Sequence, residues 1–280
     1  MRIKGKNIKI PVRTINISYN DRGPEDVPVI IFIHGFPFNK SMWEAQAEEL
    51  KLTNRIIAYD VRGHGDTDEG DEDFSIALFA DDLIGLMDKL KIDSAILCGL
   101  SMGGYIALQA MEKYPNRFNG LVLCDTNCKA DTPEAKEKRM MTIESIKKNG
   151  VEKFADGMIK NLFAAQSFIS KKPAINHVKE MMLKTSQSTL CKTLLALAER
   201  AETCGKLTEI HVPVLIMAGY EDNITPPSIA RLLHEKIEGS RLHIINHAGH
   251  VANVENPEDF TEQLKMFIQY VAAKATANVH

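Results

Sequence analysis

Short runs of β-branched and apolar residues recur along the chain, each followed by a turn signal. Runs this short and continuous are typical of strands buried on both faces of a sheet. Six of them occupy residues 29–33, 55–59, 95–98, 121–124, 214–217 and 242–245. Helix-length segments lie between most of them, for example residues 76–90 and residues 103–114, the second stopped by Pro115. The alternation predicts βαβ units and a parallel sheet.

Two segments depart from this alternation. Residues 8–19 predict an antiparallel pair of strands added at the sheet edge. From residue 127 to residue 206 there is no convincing strand pattern, only amphipathic helical periodicity, so we expect a helical cap inserted into the core. The predicted organisation is a core of residues 1–126 and 207–280 with a cap of residues 127–206.

The first helix of the predicted cap carries its own start and stop signals. Thr132 is a suitable N-cap and Pro133 fits the first helical position. The pair Asn149-Gly150 provides the stop at the other end. We therefore expect this helix to end near residue 150.

Length and charge favour small-molecule chemistry. A chain of 280 residues with 44% hydrophobic side chains can bury one large core. The formal net charge is −3, with both signs interleaved, so no basic surface predicts a nucleic-acid or anionic-lipid partner. No run predicts a signal peptide or a membrane span. We expect a small-molecule substrate, no nucleic acid and no membrane partner, and the sequence leaves the oligomeric state open.

The cysteines predict a reduced, cytoplasmic protein. There are five, an odd number, and they lack the paired spacing of metal ligands. Cys98 and Cys124 lie inside apolar runs and are expected to be small buried hydrophobic residues. Free thiols and a cytoplasmic location are the corresponding expectations.

The sequence GLSMGG at residues 99–104 follows the run 95–98 directly and opens the next helix. A serine between a strand and a helix, flanked by glycines at i−2 and i+2, has the pattern of a nucleophile elbow. Gly99 and Gly103 leave room for the strained turn that exposes the hydroxyl of Ser101. The bare motif also arises by chance, but its place between strand and helix favours a nucleophile.

A serine nucleophile needs a base, since its hydroxyl is weakly nucleophilic at neutral pH. Of the nine histidines, His250 follows the last predicted strand and so emerges at the same sheet edge as the elbow. Gly249 gives its loop a tight approach, which favours His250 as the general base. His247, three residues earlier, is the serious rival.

A carboxylate must hold the tautomer of that histidine. Asp222 follows the run 214–217 and precedes His250, so the chain order Ser, Asp, His matches that of nucleophile-elbow hydrolases. Asp125, just past the run 121–124, also lies at a strand end and stays open as the less favoured alternative.

An oxyanion intermediate needs two backbone N–H donors. Met102, directly after the serine, supplies the first. We assign the second to Phe36 in the sequence HGFP at residues 34–37, where Gly35 permits the turn and Pro37 has no N–H to give. A simple strand-ending turn is the competing interpretation of that segment.

Together these segments resemble the α/β-hydrolase superfamily over nearly the whole chain. The motifs that carry the resemblance are HGFP at 34–37, DVRGHG at 60–65, the elbow at Ser101, GYED at 219–222, and AGH at 248–250 with Glu255 and Pro257 after it. The resemblance implies an α/β-hydrolase fold: a mostly parallel eight-stranded sheet flanked by helices, with an inserted helical cap. It also implies that His64 lies in a structural turn.

Within the superfamily the elbow and cap are similar to those of carboxylesterases, 3-oxoadipate enol-lactonases and cofactor-free haloperoxidase-like perhydrolases. Haloalkane dehalogenases and epoxide hydrolases share the cap but use aspartate as nucleophile, and Ser101 argues against both. The leading hypothesis is hydrolysis of small esters or lactones through an acyl-Ser101 intermediate, with no metal and no organic cofactor. A perhydrolase that uses hydrogen peroxide, and a ligand receptor with a nearly silent triad, are the alternatives.

The cap predicts an apolar acyl pocket. Its apolar side chains include Leu162, Phe163, Phe168 and five methionines at residues 140, 141, 158, 181 and 182. Flexible thioethers adapt to different ligands, so we expect a tolerant pocket that prefers short uncharged acyl groups. A lysine turned inward, such as one of Lys160, Lys171, Lys172 and Lys184, would instead favour an anionic lactone.

Overall fold

The computed structural model describes residues 2–277, and these contain the predicted sheet. The strands are β1 Gly5–Val12, β2 Ile15–Arg22, β3 Val29–Ile33, β4 Arg55–Tyr59, β5 Ala95–Leu100, β6 Phe118–Cys124, β7 Val214–Gly219 and β8 Arg241–Ile245. The α-helices are α1 Glu44–Leu50, α2 Ile76–Lys89, α3 Met102–Lys113, α4 Pro133–Leu162, α5 Ser167–Ser170, α6 Lys172–Leu183, α7 Gln187–Ala198, α8 Pro227–Lys236, α9 Ala252–Glu255 and α10 Pro257–Ala277.

The eight described strands form one sheet in the order β1-β2-β4-β3-β5-β6-β7-β8. Strands β3 to β8 are parallel to one another, whereas β2 pairs antiparallel with both β1 and β4. This confirms the α/β-hydrolase fold class and the antiparallel pair at the edge. Because the central strands are parallel, β3, β5, β6, β7 and β8 all end at one edge, and the loops that follow them meet there.

All six predicted runs are strands, but β5, β6, β7 and β8 are longer than their apolar runs. Strand β5 continues through Gly99 to Leu100, whose partners on β6 are Leu123 and Cys124. Glycine has a low strand propensity, so the apolar run predicts an end at Cys98, whereas the hydrogen-bonded pairing of β5 with β6 continues to Leu100. The extension places the last paired residue of β5 directly before Ser101.

Side chains alternate between the two faces of the sheet and fill two separate cores. On β3, Ile31 belongs to the core that includes Leu83 of α2. Phe32 belongs to the other, where its ring stacks on Trp43 with centroids 4.7 Å apart and Trp43 packs against Phe260 of α10. Since both faces are covered by helices, the parallel strands are apolar throughout, which explains their continuous runs.

The segment from 127 to 206, which we call the cap segment, contains four α-helices, α4 to α7, and no strand among its residues. Thr132 is the N-cap of α4, and its hydroxyl accepts a hydrogen bond from the N–H of Ala135 at 3.3 Å. The helix is broken at Gly150, where φ is 83° and ψ is 173°, at the predicted stop. The assignment of the cap segment as a separate domain stays a prediction.

The expectation of five reduced thiols is wrong. Cys128 and Cys204 form a disulfide, with Cα atoms 4.8 Å apart. They are 76 residues apart in sequence, so only the folding of the cap segment brings them together. Disulfides are rare in cytosolic proteins, so the cysteines no longer support a cytoplasmic location, which stays a prediction. Cys98 and Cys124 are free and buried, as expected.

None of the described helices has the length and apolar character needed to cross a bilayer.

Candidate active site

Ser101 occupies the turn between β5 and α3 with strained backbone angles, φ 54° and ψ −114°. Its N–H donates to the carbonyl of Cys124 at 2.9 Å, which fixes the turn against β6. A Cβ atom on Gly99 would fall on the carbonyl of Gly103, and one on Gly103 would fall on the carbonyl of Ile33. The geometry explains why small residues flank the serine on both sides, as the sequence predicted.

A continuous hydrogen-bonded chain joins the three residues that the sequence singled out. The hydroxyl of Ser101 lies 2.9 Å from Nε2 of His250, and Nδ1 of His250 lies 2.8 Å from Oδ2 of Asp222. His250 follows β8 and Asp222 follows β7, and each is only 2% exposed. With Nδ1–H donating to the carboxylate, Nε2 is left as an acceptor for the hydroxyl proton.

Asp222 is held by its own loop. Oδ1 accepts hydrogen bonds from the N–H groups of Ile224 and Thr225, and Oδ2 accepts one from the Thr225 hydroxyl at 2.7 Å. Burial would raise the pKa of this carboxyl, but His250 and the bonds from Thr225 outweigh burial and hold the pKa below its ordinary value. Sequence reasoning missed Thr225, although aspartate side chains commonly accept hydrogen bonds from backbone N–H groups a few residues further along the chain.

The structure does not bring the rival residues into this chain. His247 is exposed and has a positive φ of 57°. Asp125 is buried, but its Oδ1 accepts from the N–H of Gly219 and not from a histidine. Of the two carboxylates left open by the sequence, Asp222 is the one in contact with His250.

The loop predicted to supply an oxyanion donor lies against the elbow. A Cβ atom on Gly35 would lie 3.2 Å from the carbonyl oxygen of Leu100 and 3.3 Å from Cβ of Ser101. In residues 2–277 neither the N–H of Phe36 nor that of Met102 donates to another group of the protein. Both predicted donors therefore remain available beside the serine.

His34, the first residue of that loop, holds the loop in place through contacts of both its ring nitrogens. Its Nδ1 lies 2.8 Å from the carbonyl of Gly35, and its Nε2 accepts the N–H of Val61 at 2.9 Å. Burial lowers the pKa of His34 to about 4. The ring is therefore neutral near pH 7, in a structural role.

The cap segment is bonded directly to the loop that carries His250. The N–H of His250 donates to the carbonyl of Leu162, at the end of α4, at 2.7 Å. The buried carboxylate of Glu255 accepts three further hydrogen bonds, from the N–H of Gly249 at 2.6 Å, the N–H of Ala164 at 2.8 Å and the hydroxyl of Ser167 at 2.6 Å. Glu255 thus links Gly249, the residue before His250, to the chain that follows α4. The sequence identifies Glu255 only as one of the residues that carry the family resemblance, and not as part of this bridge.

A cleft of about 500 Å³ lies between Phe36, the loop after β7 and the cap segment; neither Ser101 nor His250 is among its lining residues. Its apolar lining residues are Phe36, Ala135, Phe154, Met158, Leu194 and Ile224, and its polar ones include Lys138, Arg139, Asn161 and Asn223. Of the five cap methionines only Met158 lines this cleft; Met181 and Met182 are buried, and Met140 and Met141 are exposed. None of the four lysines considered from the sequence lines it, whereas Lys138 does.

A serine on a strand-to-helix elbow, with histidine and carboxylate at the same sheet edge, defines a class of hydrolases. The family model described as alpha/beta hydrolase fold matches residues 28–257, and the chain belongs to this family.

Relatives of this chain include esterases and lactonases. The 3-oxoadipate enol-lactonase 2 of Acinetobacter baylyi is 29% identical, with 91% of this chain and 94% of that protein covered. A thermophilic esterase from Thermogutta terrifontis, solved with malate bound, is 33% identical with a TM-score of 0.90, covering 95% of this chain and 99% of that one. The enol-lactonase from Burkholderia xenovorans LB400 is 26% identical with a TM-score of 0.88, covering 94% and 100%.

Proposed function

We propose that this hydrolase cleaves small carboxylic esters or lactones through a covalent acyl-Ser101 intermediate. The observation that carries the proposal is the hydrogen-bonded chain from Ser101 through His250 to Asp222. Two further features agree with it: the backbone donors of Phe36 and Met102 beside the serine, and a largely apolar cleft next to Phe36.

The proposed reaction has two halves. In the first, Oγ of Ser101 attacks the carbonyl carbon while Nε2 of His250 takes the hydroxyl proton. The N–H groups of Phe36 and Met102 stabilise the oxyanion. His250 then gives the proton to the leaving alkoxide, which departs from an ester but stays tethered in a lactone. In the second half, water attacks the acyl-serine by the same proton transfers and releases the acid.

The relatives support the choice of substrates for a test. One is named as an esterase and two as enol-lactonases, so both ester and lactone chemistry belong in the panel. We propose nitrophenyl esters of increasing acyl length, a plain lactone and an enol-lactone.

The decisive comparison is wild type against Ser101→Ala. We expect a loss of about a thousandfold or more in kcat/KM, because the covalent step needs the hydroxyl. An unchanged melting temperature would show that the fold is retained. If folded Ser101→Ala kept more than about a tenth of the wild-type rate, the nucleophile assignment would be wrong. A burst of nitrophenol without further turnover in the wild type would favour the receptor alternative.

A further inference from the structure

Asp125 is a second buried carboxyl at the edge where the site lies. It follows β6, next to β7, whose loop carries Asp222, and it is only 1% exposed. Its own N–H donates to the carbonyl of Met217 at 2.9 Å, and its Oδ1 accepts the N–H of Gly219 at 2.8 Å. These bonds hold the carboxyl between the two strands.

The carboxyl group of Asp125 has that of Asp222 as its neighbour. Among the described residues no N–H or O–H group donates to Oδ2 of Asp125, although the atom is fully buried. Gly219 joins the two residues: its N–H donates to Oδ1 of Asp125, and its carbonyl accepts the N–H of Asp222 at 3.2 Å. Two buried carboxylates held by the same residue repel each other, so one of the pair keeps a proton.

The donors around the two carboxyls decide which one keeps it. Asp222 accepts four hydrogen bonds, from Ile224, from the N–H and hydroxyl of Thr225, and from His250. Asp125 accepts one, from Gly219. Donors stabilise the ionised form of a carboxyl, so the charge belongs on Asp222 and the proton on Asp125.

We propose that Asp125 is a positioning residue that stays protonated at neutral pH and donates a hydrogen bond from Oδ2 to the carboxylate of Asp222. Burial, followed by the charge of Asp222, raises the pKa of Asp125 well above its ordinary value, and the neighbouring Cys124 acts in the same direction. Through Asp222, this donor acts on His250. The kinetic part of the inference rests on the proposed function, and the protonation part does not.

The chain offers a matched pair of variants. In Asp125→Asn the amide oxygen can accept from Gly219 while the amide NH₂ donates to Asp222, so both bonds persist with no titratable group. In Asp125→Ala both bonds are lost. A protonated aspartate therefore predicts that asparagine substitutes for it and alanine does not.

The proton can be measured without any substrate. We expect the infrared difference spectrum of wild type minus Asp125→Asn at pH 7 to contain the carbonyl stretch of a protonated carboxylic acid. We also expect the melting temperature of Asp125→Asn to exceed that of wild type by a margin that grows from about pH 4 to pH 7. Above about pH 4 the unfolded aspartate loses its proton while the folded one keeps it, so wild type loses stability with rising pH and the variant does not. An ionised-carboxylate band with a pH-independent margin would overturn the proposal.

Kinetics test the positioning role. We expect Asp125→Ala to lower kcat about tenfold at unchanged KM, the rate equivalent of one hydrogen bond to a charged group. Without that donor Asp222 is more basic, so the acidic limb of the kcat/KM profile should move to higher pH. Asp125→Asn should rescue both, to within about threefold of the wild-type rate.

The outcomes separate the two claims. A loss in Asp125→Asn as large as in Asp125→Ala would show that an ionised carboxylate is needed, against the proposal. A wild-type kcat and pH profile in Asp125→Ala would remove the positioning role. If wild type lacks ester and lactone hydrolysis the proposed function fails, but the infrared and melting measurements still decide the proton. The infrared and melting measurements use only wild type and Asp125→Asn, so they decide the protonation state of Asp125 even if Asp125→Ala does not fold.

Discussion

At the scale of single residues, the orientation of one imidazole ring determines what the site can do. Nδ1 of His250 faces Asp222, so the tautomer that leaves Nε2 free to accept a proton is the favoured one. The hydroxyl of Thr225 lies 3.2 Å from the same Nδ1 and also donates to Asp222. The histidine is thus oriented by a carboxylate that is itself oriented by its loop.

Replacing the carboxylate by an amide tests this dependence. We expect Asp222→Asn to keep the fold but to lower turnover by about four orders of magnitude, because the amide no longer favours the productive tautomer of His250. Turnover of nitrophenyl acetate by the purified variant is the measurement. Asp125→Asn is the matched control. If it proved the damaging change and Asp222→Asn the mild one, the acid would have been assigned to the wrong strand.

Two buried histidines predict sensitivity to acid. Burial lowers the pKa of His64 to about 3, and that of His34 to about 4. In the unfolded chain both take up protons below about pH 6.5, whereas in the folded protein they stay neutral until the pH approaches these lower values. Their contribution to stability is therefore full above about pH 6.5 and declines as the pH falls, by about 1.4 kcal/mol per unit for each ring.

His64→Asn isolates one of these rings. Nδ1 of His64 lies 3.0 Å from the carbonyl of Arg62, and an asparagine amide can donate near the same place. We expect the melting temperature of wild type to fall relative to the variant between pH 6.5 and pH 4. Parallel curves over that interval would mean that His64 already carries its proton in the folded protein.

At the scale of elements, the cap segment and the loop after β8 form one bonded unit. Glu255 lies in α9 and accepts from the chain after α4 as well as from Gly249, beside His250. Three donors surround the carboxylate of Glu255. In a glutamine at this position, the amide nitrogen would face one of these donors where an acceptor is needed. The position of the cap segment is thereby linked to that of the histidine.

We expect Glu255→Gln to lower both kcat and the melting temperature. Loss of a buried hydrogen bond to a charged group costs about 1.5 to 3 kcal/mol, which corresponds to several degrees for a chain of this size. Glu258→Gln is the matched control, since that carboxylate is exposed at the start of α10. Thermal unfolding and esterase kinetics on both variants are the measurements. Equal effects of the two substitutions would argue against a specific bridge.

The sequence predicts elements well where residue type and position agree. Apolar runs located the parallel strands, and the glycine spacing located the turn at Ser101. The pattern of residue types could not predict contacts between residues that are far apart in sequence. The disulfide joins cysteines 76 residues apart, and Glu255 accepts a hydrogen bond from Ala164, 91 residues away in sequence. It also could not say which cap side chains face the cleft, because the helices of the cap segment pack against one another as well as over the core.

At the scale of the whole molecule, the cleft predicts which substrates are accepted. Six of its eleven lining side chains are apolar, and the charge of Arg139 is paired with Asp131. Lys138 is exposed, where solvent screens it. We therefore expect higher kcat/KM for a short neutral ester than for an anionic lactone of similar size.

Lys138→Gln shows whether the remaining charge selects substrates. If the enzyme prefers the neutral ester, Lys138→Gln should keep the wild-type ratio of kcat/KM for the neutral ester and the anionic lactone. A wild-type preference for the anion, reduced in Lys138→Gln while the neutral ester is unaffected, would refute the apolar pocket and favour an enol-lactonase-like activity. Lys160→Gln, outside the cleft lining, is the control.

The bond between Cys128 and Cys204 also determines what happens when the backbone is cut. Every peptide bond between the two cysteines belongs to a closed covalent ring, so one cut there opens the ring without separating the pieces. Lys147 and Lys148 are exposed just before the helix break at Gly150, where trypsin can reach the chain. A single cut there should give one full-length band on a denaturing gel without reductant, and two fragments of about equal length once the sulfur–sulfur bond is reduced.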